Sequence, residues 1–215
     1  AEAEAVLHRA LALNANHPLA LYFRGRQQLR QGDATGARHT LSRLLALDPQ
    51  NAAACVEIAR TFQAEGKYAL AEEWYEAAVT NAPLSADFLY LLADFEASTL
   101  FDIGKGLDAI RDAIEVAPAD PAMYDTLGWL RFLSGDRSGA EIALRHALAL
   151  DSRRISAYYH LGRLYESRGQ LEAARWAFGR AVDLGAGQAV QGAAESALQR
   201  LGPGSEIEPT ERDSE

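Results

Sequence analysis

Apolar side chains recur three and four positions apart in short segments, as in Leu144, Ala147 and Leu148 and again in Tyr158, Leu161 and Tyr165. That is the spacing of a helix with one buried face. The segments come in pairs. In "YDTLGWLRFLSGDRSGAEIALRHALALD", Gly128 sits among the apolar residues of the first segment, Gly135 follows, and Ala140, Leu144 and Ala147 form the second. Glycine inside a helix costs about 1 kcal/mol against alanine, so Gly128 requires a compensating contact. Close approach of the two helices supplies it, with Gly128 facing Ala140 and Leu144. Gly135 ends the first helix, where a positive φ is cheap. Asn51, Ser85 and Asp120 mark helix starts as caps, and Pro18 and Pro121 take first helical positions. Each pair therefore reads as a helical hairpin.

The hairpin recurs. Leu127 and Gly128 fall on Leu161 and Gly162, 34 positions on, while Gly135 falls on Gly169 and Ala140 on Ala174. Toward the N-terminus, Gly25 and Ala59 hold the same place, Gly32 and Gly66 the turn, and Pro49 and Pro83 the end. A less regular unit lies between, with its extra residue within "DFEASTLFDIGK", where the turn glycine is absent. Full units are thus expected at 18–51, 52–85, 86–120, 121–154 and 155–188. Residues 1–17 match only the second helix of a truncated unit, so the chain reads as beginning mid-repeat. Residues 189–201 read as a capping helix with Val190, Ala194, Ala197, Leu198 and Leu201 inward. Residues 202–215 are acidic, nearly free of apolar side chains, and expected to be disordered.

In unit 155–188, Tyr158, Leu161, Gly162, Tyr165, Ala174, Phe178 and Ala181 fit the signature of the tetratricopeptide repeat, which the chain resembles over residues 1 to about 188. Elsewhere Leu21, Cys55 and Leu89 take the aromatic place, Arg24 replaces the leucine, and Ser152 and Ala186 replace the proline. The resemblance implies an all-α fold, a right-handed α-solenoid of stacked hairpins, because no hairpin can bury its apolar face alone. It also implies a concave groove, lined by the first helix of each hairpin, that binds an extended or helical segment of a protein or peptide partner.

By register that groove includes Tyr22, Arg26, Arg30, Glu57 and Arg60, then Tyr90 and Asp94, then Asp125, Trp129 and Phe132, and finally Tyr159, His160 and Arg163. Arg26 and Arg60 hold equivalent places. They could share one anionic group of a partner, or pair with Glu57 and simply solubilise the face. Trp129, with Tyr90 and Tyr159, would supply an apolar anchor, since aromatics and arginine are the usual interface hot spots. The lysine, asparagine and arginine set that some such domains use to clamp chaperone tails is missing, Tyr22, Arg26, Glu57, Asp87 and Leu91 standing in its first set of places. The "YDTLGWL" stretch looks like bacterial multi-repeat proteins.

Composition narrows the function. With 215 residues, 48% hydrophobic and 24% charged, the chain is built to fold. A net charge of −9 argues against nucleic acid, whose phosphates require a concentrated cationic surface. No apolar run approaches the roughly 18 residues of a membrane span. Cys55 is the single cysteine and reads as a buried small residue. His8, His17, His39, His146 and His160 lie in different units without metal-ligand spacing, and "IGKGLDA" and "GAGQAVQG" lack the spacing of phosphate loops. Adjacent Glu72 and Glu73 read as a solvated face. Neither metal, cofactor nor catalysis is expected. The leading reading is a non-catalytic protein interaction module, a scaffold or adaptor section of a larger bacterial protein in cytoplasm or periplasm. One alternative is a docking region of an enzyme whose catalytic domain lies outside the chain. Another is a self-assembling scaffold in which a second copy covers Leu7, Leu11 and Leu13 of the N-terminal half-unit.

Overall fold

The computed structural model describes residues 2–99, 101–185, 187 and 189–202; among these there are twelve helices and no strand. The acidic tail expected to be disordered lies outside the described residues from 203 onward. Two compact units divide the chain, residues 1–118 and 119–215.

The first unit holds α1 (Glu2–Leu13), α2 (Pro18–Arg30), α3 (Ala34–Leu47), α4 (Ala52–Ala64), α5 (Tyr68–Asn81), α6 (Ala86–Thr99) and α7 (Ile103–Val116). Consecutive helices pack pairwise, α2 on α3, α4 on α5 and α6 on α7, with α3 against α4 and α5 against α6 joining the pairs. Its core gathers Leu21, Leu41, Leu44, Ala54 and Ile58, with Leu11, Phe62 and Trp74 packed around them. Leu11 of the half-unit is thus drawn onto that core, whereas Leu13 is 83% exposed. Cys55 is buried.

The second unit holds α8 (Pro121–Leu133), α9 (Arg137–Leu150), α10 (Ile155–Ser167), α11 (Leu171–Leu184) and α12 (Ala189–Leu201). The α8–α9 and α10–α11 hairpins stack, and α12 closes on α11. Leu144, Leu161, Leu164 and Phe178 are fully enclosed, and α12 contributes Ala194 and Ala197. Helices that pack in this alternating way form an α-solenoid in each unit.

Local chemistry sets these boundaries. Asn51 accepts from the Ala54 amide at 3.0 Å and Asp120 from Ala122 at 2.8 Å, each relieving an orphan donor of the first turn. Ser85 receives α6 through its backbone carbonyl, from Phe88 at 3.1 Å and Leu89 at 3.2 Å. Gly135 takes φ +91° in the turn after α8, and Gly169 takes φ +71° after α10. Gly128 lies where a Cβ would stand 2.5 Å from Leu144 Cγ and 3.2 Å from the Ala140 carbonyl oxygen. The same intimacy recurs at Gly25 against Leu41 and at Gly162 against Phe178. The cost of a glycine in each helix is thereby offset by the dispersion contacts of a closer fit.

Candidate functional site

On α2 and α4 of the first unit the register places Tyr22, Arg26 and Arg60 around one acid. Glu57 is buried, its side chain 4% exposed. Through a single oxygen, Oε1, it accepts from Arg60 Nη1 at 2.9 Å and the Tyr22 hydroxyl at 3.5 Å, and forms an ion pair with Arg26 Nε at 3.1 Å. The Arg26 guanidinium also lies 5.6 Å from the Tyr22 ring centroid. So Arg26 and Arg60 do share a carboxylate, and it belongs to the chain itself. Their side chains nevertheless remain 40% and 37% exposed. Burial, with the Glu57 charge next in weight, pushes the Tyr22 phenol up, which keeps it a neutral donor. Arg30 is exposed at the end of α2, and on α6 Tyr90 is half-buried and Asp94 exposed.

In the second unit Asp125 departs from the expected groove position. Its side chain is 3% exposed and both oxygens are engaged. Oδ2 accepts from Arg154 Nε at 2.8 Å and from the Ser156 hydroxyl, and Oδ1 meets His160 Nδ1 at 2.7 Å. Burial alone would raise this carboxyl, but His160, Ser156 and Arg154 together hold it below the usual aspartate range. Asp125 therefore ties α8 to the start of α10 and is withdrawn from any partner. Arg154 was not among the expected site residues, yet it had a signal. It occupies the cap position where α4 and α8 have Asn51 and Asp120, and its side chain makes no cap bond there.

The remaining residues of this stripe come together. The Trp129 ring stacks on Phe132 at 5.1 Å between centroids and on His160 at 4.5 Å, nearly parallel to the latter at 16°. Tyr159 lies 5.8 Å from His160, and Arg163 Nη1 donates to the Tyr159 hydroxyl at 3.2 Å. All five are half-buried, and Phe132 and Tyr159 pack against the core of this unit. Beside them a groove of about 420 Å³ is lined by Phe132, Arg163, Glu166, Ser167 and Arg200. Glu166 accepts from Arg200 at 3.1 Å and lies 3.5 Å from Arg163.

A second assignment from the sequence is also corrected. Glu72 is not on a solvated face, since its side chain is only 14% exposed and it pairs with Lys105 at 2.5 Å. It also neighbours Glu96, a fully buried acid of α6 whose Oε2 accepts the Asp102 amide at 2.7 Å. That bond bridges the segment where the turn glycine is missing. Burial, opposed by the Asp102 amide and reinforced by Glu72, pushes the Glu96 carboxyl up to about 7. Lys105 also reaches Glu76 at 2.7 Å. The residues of this cluster come from three helices, so adjacency on α5 alone could not reveal it.

Trp74 packs on the core of the first unit, whereas Trp176 is 56% exposed and meets Tyr158 edge-on at 5.7 Å. Among the described residues no group of three or more histidine, cysteine or acidic side chains could hold a metal ion, and no helix is long and apolar enough to cross a membrane.

Profiles of the tetratricopeptide repeat match residues 1–52, 28–95 and 155–184. No curated protein sequence matches significantly. Solved structures do. A thermophilic TPR protein of Thermus thermophilus has a TM-score of 0.68 at 24% identity, covering 85% of this chain and 99% of that one. YrrB, described as a TPR protein with an unusual peptide-binding site, has a TM-score of 0.63 at 17% identity, covering 88% and 97%. PilW, described as a type IV pilus biogenesis factor, has a TM-score of 0.68 at 21% identity, covering 85% and 92%.

Proposed function

The chain is a tetratricopeptide repeat protein, a family of protein–protein interaction modules, and from that premise we propose that it works without catalysis, taking an extended or helical segment of a partner protein on the first helices of its hairpins. The observation that carries this reading is the connected surface of Trp129, Phe132, Tyr159, His160 and Arg163 in the second unit. Aromatic rings held in place by stacking lose little freedom on binding, so their area converts into affinity at low entropic cost. The arginine edges of Arg26 and Arg60 are the corresponding feature of the first unit. The peptide-binding site named for YrrB supports the assignment of a peptide-holding role to this fold. The module would serve as a scaffold or adaptor section.

The test is partner capture from a bacterial lysate with the wild-type chain, Trp129→Ala, and the Trp129→Ala, Arg60→Ala double variant. Loss of specific partners from the variants, with helicity intact by circular dichroism, is the expected result. An unchanged partner set would overturn the assignment of the site.

A further inference from the structure

Tyr22 belongs to two features of the first unit at once. Its hydroxyl meets Glu57, and its ring lines an apolar groove of about 390 Å³ formed with Pro18, Leu19, Leu44, Asn51 and Ala53. Leu19 stands 59% exposed at that groove, one turn before Tyr22, and Arg26 follows one turn after it. On α4 the order is the same: Ala53 at the groove, then Glu57, then Arg60. An apolar recess and a pair of guanidiniums thus lie along one helix face.

We propose that this face takes an extended acidic segment of a partner protein, with one apolar side chain in the Leu19–Tyr22–Ala53 groove and a carboxylate three residues away against the outer edges of Arg26 and Arg60. The proposal rests on the reading of the first-helix face as the partner surface and specifies its chemistry. The spacing follows from geometry. Leu19 to Arg26 and Ala53 to Arg60 are each seven helical positions, about 10 Å at the helical rise, and an extended chain covers that in about three residues.

Charge selects the occupant. Across α2 and α4 stand Arg24, Arg26, Arg30 and Arg60 against the single acid Glu57, on a chain whose net charge is −9. Glu57 cannot neutralise both guanidiniums that it holds. It fixes Arg26 by Nε and Arg60 by Nη1, so the rest of each planar group is oriented before a ligand arrives. At the same place on α6 stands Asp94, which limits the favourable stretch to α2 and α4. The strongly acidic balance of the chain would repel the same segment elsewhere, which adds selectivity.

The probes are two twelve-residue glycine–serine peptides, one containing Leu-Ser-Ser-Glu and the other Glu-Ser-Ser-Leu, titrated into the ¹⁵N-labelled full chain. The proposal predicts saturable shifts of α2 and α4 amides with at least one peptide. Replacing the peptide's glutamate by glutamine should weaken binding about tenfold, as should the Arg26→Gln, Arg60→Gln double variant. Leu19→Ser, at an exposed position, should weaken it about threefold. Absence of saturable shifts with both peptides overturns the proposal, and so does equal affinity for the glutamine peptide. The peptide-side comparison does not depend on any variant folding. If these peptides fail while Trp129→Ala still abolishes partner capture, the acidic-segment inference falls and the interaction-module reading stands.

Discussion

Glu57 and Asp125 are both buried acids that bind cations across neighbouring helices, and they leave opposite surfaces behind. Glu57 uses one oxygen for three partners, and the arginines it gathers keep 40% and 37% of their side chains exposed. Asp125 spends both oxygens, and its partners Arg154 and His160 are 22% and 18% exposed. The first arrangement orients charge toward solvent, whereas the second consumes it. A buried carboxylate in a repeat protein is therefore informative through the exposure of its partners. By that measure the first unit holds an organised cationic edge, and the second holds a lock with aromatic residues standing beside it.

The most forceful way to break this comparison is Asp125→Ala. Removing the acid strands Arg154 and His160, and stability should fall by about 3 kcal/mol, the scale for breaking a buried pair by deleting one partner. Urea unfolding followed by circular dichroism measures it, and Glu57→Ala should cost less than half as much because its arginines can turn to water. The pH dependence follows from the same lock. The folded-state carboxyl of Asp125 lies below its unfolded value, so its stabilisation is present above about pH 4 and is lost as pH falls through the folded value. Asp125→Asn should flatten the acid limb of a melting-temperature profile between pH 2 and 5.

Glu96 provides the opposite sign. Its folded-state carboxyl is raised from 4.5 to about 7, so its contribution is complete below 4.5 and is lost as pH rises through about 7. Glu96→Gln retains an acceptor for the Asp102 amide and adds a donor toward Glu72. At pH 8 it should raise stability by about 1 kcal/mol, with little gain at pH 5. Thermal melts at the two pH values would show it. The smallest effect belongs to Arg60→Ala, which should cost less than about 1 kcal/mol because that ion pair is partly solvated. A larger loss in the same urea experiment would make Arg60 a structural residue and narrow the contrast with Asp125.

Much of the fold was legible because glycine is costly in a helix. Gly128 required a close contact, which the register assigned to Ala140 and Leu144, and the structure repeats that contact at Gly25 against Leu41 and at Gly162 against Phe178. The equivalence of Arg26 and Arg60 was legible for the same reason, since register fixes which helix face a residue occupies. Register does not fix what a long side chain reaches. Arg154 crosses from the loop before α10 to Asp125, and Lys105 crosses from α7 to Glu72 on α5. Those pairings depend on how hairpins stack, a longer-range fact than the period of any one helix. The same limit explains why Asp125, assigned to the first-helix stripe by register, is enclosed.

Gly25 and Leu41, Gly128 and Leu144, and Gly162 and Phe178 are each sixteen positions apart, and each couple lies within one hairpin. This close fit between the two helices of a repeat is therefore written inside a single contiguous cassette of sequence. Copying, excising or transplanting such a cassette carries both halves of the fit together, so the repeat can multiply without renegotiating that contact with a neighbour.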